Sequence, residues 1–119
     1  MKTLLWLDDY RSPMGFIDDD YDKGTWLAFS PIEQPFNTVW VKNYREFTEW
    51  INKNGLPTAI CFDNSLGEEL TGYDCAKWLV DYCLDNNIKE LPLYASQSSE
   101  PHSRSLIIGL LDNFKEFNK

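Results

Sequence analysis

The sequence predicts an α/β fold built on a short parallel sheet of about four strands, in a three-layer α/β/α arrangement. Short apolar runs alternate along the chain with segments whose apolar residues recur at helical spacing. Each run from the second onward is followed by such a helical segment, an order that favours parallel strands joined by right-handed crossovers. The 119 residues have the length of one domain, which we place at 1–119.

The strands are predicted from apolar runs that end abruptly at polar residues. The runs are 3–7, 38–41, 58–62 and 91–95. The first run ends at Asp8 and Asp9, the third at Asp63 and the fourth at Ser96. Runs that are apolar throughout suit strands buried on both faces, as in a sheet covered on both sides.

The helices are predicted after the second, third and fourth strands. Asn43 followed by Glu46 has the spacing of a capping box and predicts a helix that begins at residue 44. Thr71 or Gly72 begins the second helix, and Pro101 suits the first turn of the third.

The segment from about 10 to 37 is interpreted as an irregular acidic insertion. It contains three prolines, two glycines and the acidic run 18–22, and its apolar stretch 26–29 fits a short strand or a packed anchor. Residues 1–22 carry six acids against two basic residues, a local charge of −4 within the total of −8. An acidic face of this kind would suit a basic protein partner.

Composition and charge disfavour several classes of protein. The 19 acidic and 11 basic residues disfavour duplex DNA and anionic lipid as ligands. No apolar run approaches the roughly 18 residues of a membrane span, and the first residues do not resemble a signal peptide, so we expect a cytoplasmic protein. The three cysteines lack CxxC spacing and there is one histidine, which predicts free thiols and no zinc site.

The acids after the first and third strands form the principal candidate site. Ligands of open parallel sheets bind beyond the carboxyl ends of the strands, where Asp8, Asp9 and Asp63 are expected to meet. Carboxylates gathered in this way are stable when protonated, paired with a cation or bound to a metal. Mg²⁺ takes one or two carboxylates with water and often a phosphate oxygen, so we predict a Mg²⁺ site. Alternatively, the three acids cap loops at exposed strand ends.

Nearby polar residues are candidates for binding phosphate. Arg11 either clamps a phosphate with two hydrogen bonds or pairs with a neighbouring acid and holds the loop. Ser96 and Ser98 precede the last helix, whose N-terminus suits an anion, although capping explains one or two such serines. His102, early in that helix, is either a general acid or an exposed capping residue.

The motifs resemble those of receiver domains. Leu7-Asp8-Asp9 after an apolar strand, with Asp63 ending the third, resembles the receiver of two-component signalling. A longer match is similar to the cyclic-phosphate processing receiver domains. It comprises LDDYRSP at 7–13, FDNSLG at 62–67 and TGYD at 71–74. The resemblance covers residues 4 to about 114.

This resemblance implies a flavodoxin-like receiver sandwich without the fifth strand of ordinary receivers. It implies Mg²⁺ held by Asp8, Asp9 and Asp63, with Asp9 and Asp63 in any catalysis. Arg11, Ser96 and Ser98 would contact a cyclic or terminal phosphate of a nucleotide or RNA. Any activity would be metal-assisted phosphoester hydrolysis or phosphoryl transfer.

An alternative is a non-catalytic protein-binding module or inhibitor that uses the acidic N-terminal face. Ser65 stands where the resemblance places the family's second acid, and Ala95 stands where it places a histidine. The lysine that ordinary receivers carry after a fifth strand is also missing. These departures favour binding without turnover.

Overall fold

The computed structural model describes residues 2–13, 30–33 and 36–118 and has one four-stranded sheet within them. The strands are β1 (Thr3–Leu7), β2 (Asn37–Val41), β3 (Ala59–Phe62) and β4 (Leu93–Ser96), and the helices are α1 (Tyr44–Asn54), α2 (Gly72–Asp85) and α3 (Pro101–Phe117). All pairings are parallel, in the order β2-β1-β3-β4. The predicted α/β class with four parallel strands is therefore confirmed. None of these three helices has the length and apolar character needed to cross a membrane.

The strand order places the candidate acids side by side. Leu7 at the end of β1 pairs with Val41 of β2 on one side and with Phe62 of β3 on the other. Asp8 and Asp63 are the next residues of these central strands, so both leave the sheet at its carboxyl edge. The chain moves from β1 to one neighbour and later returns to the other, which makes this point the switch in strand order where ligands bind.

The three helices pack on the same face of the sheet. Alternate residues of β1 and β3, such as Leu5 and Ile60, form one apolar cluster with Phe47 of α1, Leu79 of α2 and Leu111 of α3. This burial of apolar surface is the main source of stability for the fold.

The opposite face carries a smaller apolar cluster. Trp6 and Cys61 are fully buried there, and Ile32, Phe36 and Trp40 pack against them. The acidic run 18–22 and the apolar stretch 26–29 lie outside the described residues. The prediction of a further layer on this face therefore stays a prediction.

Short stretches of sequence determine where two helices and one strand begin. Asn43 caps α1 by accepting a hydrogen bond from the Glu46 N–H at 2.8 Å, and Thr71 caps α2 in a complete capping box with Asp74. The Glu46 carboxylate accepts from Lys42 N–H instead of Asn43 N–H, so the predicted box at α1 is only half formed. The fourth strand begins at Leu93, two residues later than predicted. Pro92, which lacks an N–H, therefore precedes it.

The three cysteines are free and buried. Burial raises the pKa of the Cys61 thiol to about 12 and also raises the pKa values of Cys75 and Cys83. A thiol is nucleophilic as the thiolate, so these residues act as small apolar groups of the core.

Candidate functional site

Three carboxylates meet at the carboxyl edge of the sheet. Asp8, Asp9 and Asp63 each offer an oxygen, and these oxygens lie within 4.8 Å of one another. Asp8 is fully buried, Asp63 is nearly so and Asp9 is exposed. Hard oxygen donors at this spacing are the ligands that Mg²⁺ prefers, so the residues fit such an ion. The structure brings together all three residues that the sequence nominated as metal ligands.

Asp8 organises the loop that follows β1. Its Oδ1 accepts hydrogen bonds from the backbone N–H groups of Tyr10 and Arg11, at 3.0 and 2.7 Å. Its Oδ2 accepts from Arg11 Nε at 3.0 Å, with a longer contact of 3.5 Å from Gln97 Nε2. A fully buried carboxylate is costly unless it is paired and hydrogen-bonded, and these donors compensate its charge.

Arg11 joins two of the carboxylates. In addition to its Nε bond with Asp8, its Nη2 atom lies 3.2 Å from Asp63 Oδ1. The guanidinium therefore places a positive charge between the acids that end β1 and β3. Of the two roles considered for Arg11, pairing with the acids is the arrangement present in the structure.

Asp63 is only partly compensated. Its Oδ1 accepts from Asn64 N–H at 2.9 Å as well as contacting Arg11. Burial and the nearby charge of Asp8 raise the pKa of this carboxyl to about 6, although Arg11 and the Asn64 N–H oppose the shift. The ionised carboxylate would therefore gain from a further positive charge beside it.

Two glycines let the chain approach the acids closely. Gly67 has a φ of +70°, and a Cβ there would lie 3.0 Å from Asp9 Oδ2. A Cβ on Gly72 would lie 1.7 Å from the Asp63 carbonyl oxygen, which leaves no room for a side chain. Gly72 N–H also donates to the Asn64 carbonyl at 2.8 Å. Both glycines are explained by contacts within the protein, because each brings a loop against an acid of the cluster.

A cavity of about 340 Å³ opens beside the cluster. The three acids and Arg11 line it, together with Tyr10, Asn64, Ser65, Ser98, Ser99 and Glu100. Ser98, a predicted phosphate ligand, is thus at the cavity wall. Ser96 is not in that lining, and its hydroxyl donates to the Phe62 carbonyl at 2.9 Å. His102 is exposed and also absent from the lining.

Two residues of this edge were not singled out from the sequence. Gln97 is buried; its Nε2 donates to the Leu7 carbonyl at 2.9 Å, while its Oε1 has no hydrogen-bond partner among the residues that the structure describes. Asn64 Nδ2 donates to Ser103 Oγ of α3 at 3.2 Å, and its Oδ1 accepts from Tyr73 N–H of α2 at 3.1 Å. The sequence signal for Gln97 was its position directly after β4, and the signal for Asn64 was its position directly after Asp63.

Comparison with known proteins agrees with this geometry. A family described as "Cyclic-phosphate processing Receiver domain" matches residues 3–113. Eight solved chains also match. One is titled as a yeast Spc42 trimeric coiled coil fused to another structure, with a TM-score of 0.54 and 17% identity. The alignment covers 98% of this chain but only 63% of that chain, and it shows likeness of fold alone. No curated protein matches.

Proposed function

The chain belongs to the cyclic-phosphate processing receiver domain family, and from this we propose that its acidic pocket binds Mg²⁺ together with a phosphate group. The ligand class is a cyclic or terminal phosphate of a nucleotide or an RNA end. The observation that carries the proposal is the meeting of three carboxylates, with oxygens within 4.8 Å, beside a cavity that Arg11 also lines.

The proposed roles follow from what each side chain offers. Asp8, Asp9 and Asp63 would hold the ion, which when bound supplies positive charge to a phosphate oxygen. Arg11 and Ser98 offer N–H and O–H donors to the remaining oxygens. If there is turnover, it is metal-assisted phosphoester hydrolysis or phosphoryl transfer. Asp63 is then the candidate nucleophile or base, and Asp9 the residue that positions the ion.

The charge balance of the pocket makes phosphate binding depend on a cation. Three ionised carboxylates and one guanidinium leave the cluster with a formal charge of −2. A phosphate that carries further negative charge is repelled from such a site unless a cation offsets it. Phosphate affinity should therefore rise when Mg²⁺ is present.

Thermal unfolding with and without millimolar Mg²⁺ or Mn²⁺ tests the metal site. An ion present at 100 times its dissociation constant stabilises the fold by about 2.7 kcal/mol. For a domain of this size, that raises the unfolding temperature by several degrees. Asp9→Asn should lose the shift. Asp81→Asn, which removes an exposed acid of α2 outside the cavity lining, should keep it. No shift in the wild type, or an equal shift in Asp9→Asn, would contradict the proposal.

Calorimetric titration then tests the ligand class. Inorganic phosphate, cyclic nucleotide monophosphates and nucleotides with terminal phosphates are compared with and without Mg²⁺. We expect one phosphate class to bind in the presence of metal and to be lost in Asp63→Asn, with Asp81→Asn again as the charge-matched control. Equal phosphate binding by Asp63→Asn and by the wild type would show that this pocket is not the phosphate site.

The alternative of an acidic docking face rests on residues outside the described part of the chain. It predicts the opposite pattern of mutational effects. Asp63→Asn would leave a basic partner bound, whereas neutralising the acidic run 18–22 would release it.

A further inference from the structure

Arg11 makes two ion pairs of unequal kind within the acidic cluster. The pair with Asp8 joins Nε to a fully buried carboxylate at 3.0 Å. The pair with Asp63 joins Nη2 to a carboxylate at 3.2 Å whose side chain is 11% exposed, and both partners line the cavity. Both carboxylates line the cavity, but the one that Nε contacts is fully buried and the one that Nη2 contacts is partly exposed.

The pair with Asp8 is the more firmly held. Asp8 also accepts the backbone N–H of Arg11 at 2.7 Å, so side chain, backbone and carboxylate form one closed unit. Gln97 reaches the same carboxylate from the end of β4. Removal of Arg11 Nε would leave a buried charge poorly compensated, which is strongly unfavourable.

The pair with Asp63 is easier to exchange. It joins Arg11 Nη2 to Asp63 Oδ1, and the same oxygen also accepts the Asn64 N–H, a donor that does not belong to Arg11. A divalent cation at Asp63 would bring two positive charges close to the guanidinium. Like charges at this distance repel each other, which favours movement of the guanidinium away from the ion.

We propose that Arg11 acts as a pivoting internal cation, which yields Asp63 to an incoming divalent ion while its Nε stays bound to Asp8. The Nη groups released from Asp63 then become donors for a phosphate in the cavity. The inference rests on the proposed function and adds an order of binding to it, with metal first and phosphate second. It also gives the pocket a cation of its own, contributed by the loop after β1.

Nuclear magnetic resonance of the wild-type protein can observe both ends of the guanidinium separately. The chain has three arginines, Arg11, Arg45 and Arg104, so three Nε–Hε signals are expected. During a titration with MgCl₂, we expect the Arg11 Hε signal to remain protected from solvent exchange. Its Nη signals should shift as the bond to Asp63 is lost. Arg45, an exposed residue of α1, is the internal reference.

Asp63→Asn is the matched variant for this titration. Because it removes the carboxylate that holds Nη2, its Arg11 Nη signals should resemble the metal-loaded wild type before any Mg²⁺ is added. Arg11 Nη signals that stay unchanged while the backbone amides of Asp9 and Asp63 report metal binding would overturn the pivot and leave the proposed function intact. Loss of Hε protection on metal binding would overturn it too. Amides of Asp9 and Asp63 that do not respond to Mg²⁺ would overturn both.

Arg11→Lys tests the consequence for the ligand, with inorganic phosphate as the probe. Lysine keeps the charge, but its single ammonium group cannot bond to Asp8 and donate into the cavity at the same time, as the several nitrogens of the guanidinium can. Mg²⁺ should improve phosphate affinity about tenfold or more in the wild type, a typical size for coupling between two ligands. The improvement should be lost in Arg11→Lys while Mg²⁺ still binds. An undiminished improvement in that variant would contradict the role assigned to the guanidinium.

Discussion

The helix-covered face of the sheet and its carboxyl edge bury different kinds of side chain. The cluster under α1, α2 and α3 contains fifteen buried apolar residues. The five buried polar residues of the described chain all lie at the carboxyl edge, in the segment that leads from it to α3 or in the first turn of α3. They are Asp8, Asp63, Gln97, Ser98 and Ser103. The two regions share the same strands but serve different purposes.

The difference shows where this fold gives up stability. Apolar packing on the helix face stabilises the domain without leaving polar groups unsatisfied. At the edge, Asp63 has a pKa raised to about 6, and Gln97 Oε1 has no hydrogen-bond partner within the described part of the chain, so the burial of each is incompletely compensated there. Local costs of this kind are expected at functional sites and need stable surroundings to persist.

Phe47→Ala should produce the largest loss of stability. The ring is fully buried and packs against Phe62 and Trp78, with ring centroids 5.9 and 6.1 Å away. Removing it should cost about 3–5 kcal/mol of unfolding free energy, measured by urea denaturation. The folded variant should keep its thermal response to Mg²⁺. Loss of that response under conditions where the variant is folded would show that the two regions are coupled.

Asp63→Asn should raise the free energy of unfolding, whereas Phe47→Ala should lower it. The pKa of about 6 lies above the ordinary 3.8 of an aspartate, so the folded protein holds its proton more tightly than the unfolded chain. Stability contributed by the protonated form is complete below about pH 4 and is lost as pH rises through 6. In metal-free buffer at pH 8, we expect the asparagine variant to be more stable by roughly 1–3 kcal/mol.

The pH dependence is the control for this prediction. Denaturant unfolding at pH 4 should give a much smaller difference between wild type and Asp63→Asn than at pH 8, because Asp63 is then neutral in the folded protein. A variant less stable than wild type at pH 8 would mean that the ion pair with Arg11 outweighs burial and the charge of Asp8.

Gly67→Ala should have a smaller effect, confined to the edge. An alanine at a φ of +70° is strained by about 1–2 kcal/mol, and its Cβ would lie 3.0 Å from Asp9 Oδ2. The variant should unfold at a lower temperature and bind Mg²⁺ more weakly. Gly109→Ala in α3 is the matched control. Its Cβ meets no atom within 4 Å, and alanine should stabilise the helix by roughly 0.5–1 kcal/mol. If the two variants showed the same changes in unfolding temperature and Mg²⁺ binding, the backbone conformation of Gly67 would not explain its effect.

Much of the fold could be predicted because its signals are local. Apolar runs identified the strands, and Asn43, Thr71 and Pro101 marked the starts of the helices found in the structure. The meeting of Asp8 with Asp63 also followed, since parallel neighbouring strands end at one edge. Each of these inferences needs only a short stretch of sequence and the rule that strands alternating with helices lie parallel.

The finer details of the site depend on long-range geometry. Sequence spacing left two roles open for Arg11, and only the folded loop shows its nitrogens reaching both Asp8 and Asp63. Gln97 contacts Leu7 across ninety positions of sequence, a contact that no local pattern encodes. The placement of all three helices on one face likewise depends on the strand order, which periodicity leaves undetermined.

Ser96, the last residue of β4, and Ser98 just beyond it give the smallest and most specific test of which polar groups are structural and which bind ligand. Ser96 Oγ donates to the Phe62 carbonyl and accepts from Ser98 N–H at 3.2 Å, so Ser96→Ala should cost about 1 kcal/mol of stability. It should leave phosphate affinity in Mg²⁺ unchanged. Ser98→Ala removes a hydroxyl at the cavity wall and should weaken phosphate binding by roughly threefold to tenfold, measured by calorimetry. Equal losses of affinity in both variants would show that Ser96 gives up its bond to Phe62 when phosphate binds. The edge of the sheet would then rearrange as the pocket fills.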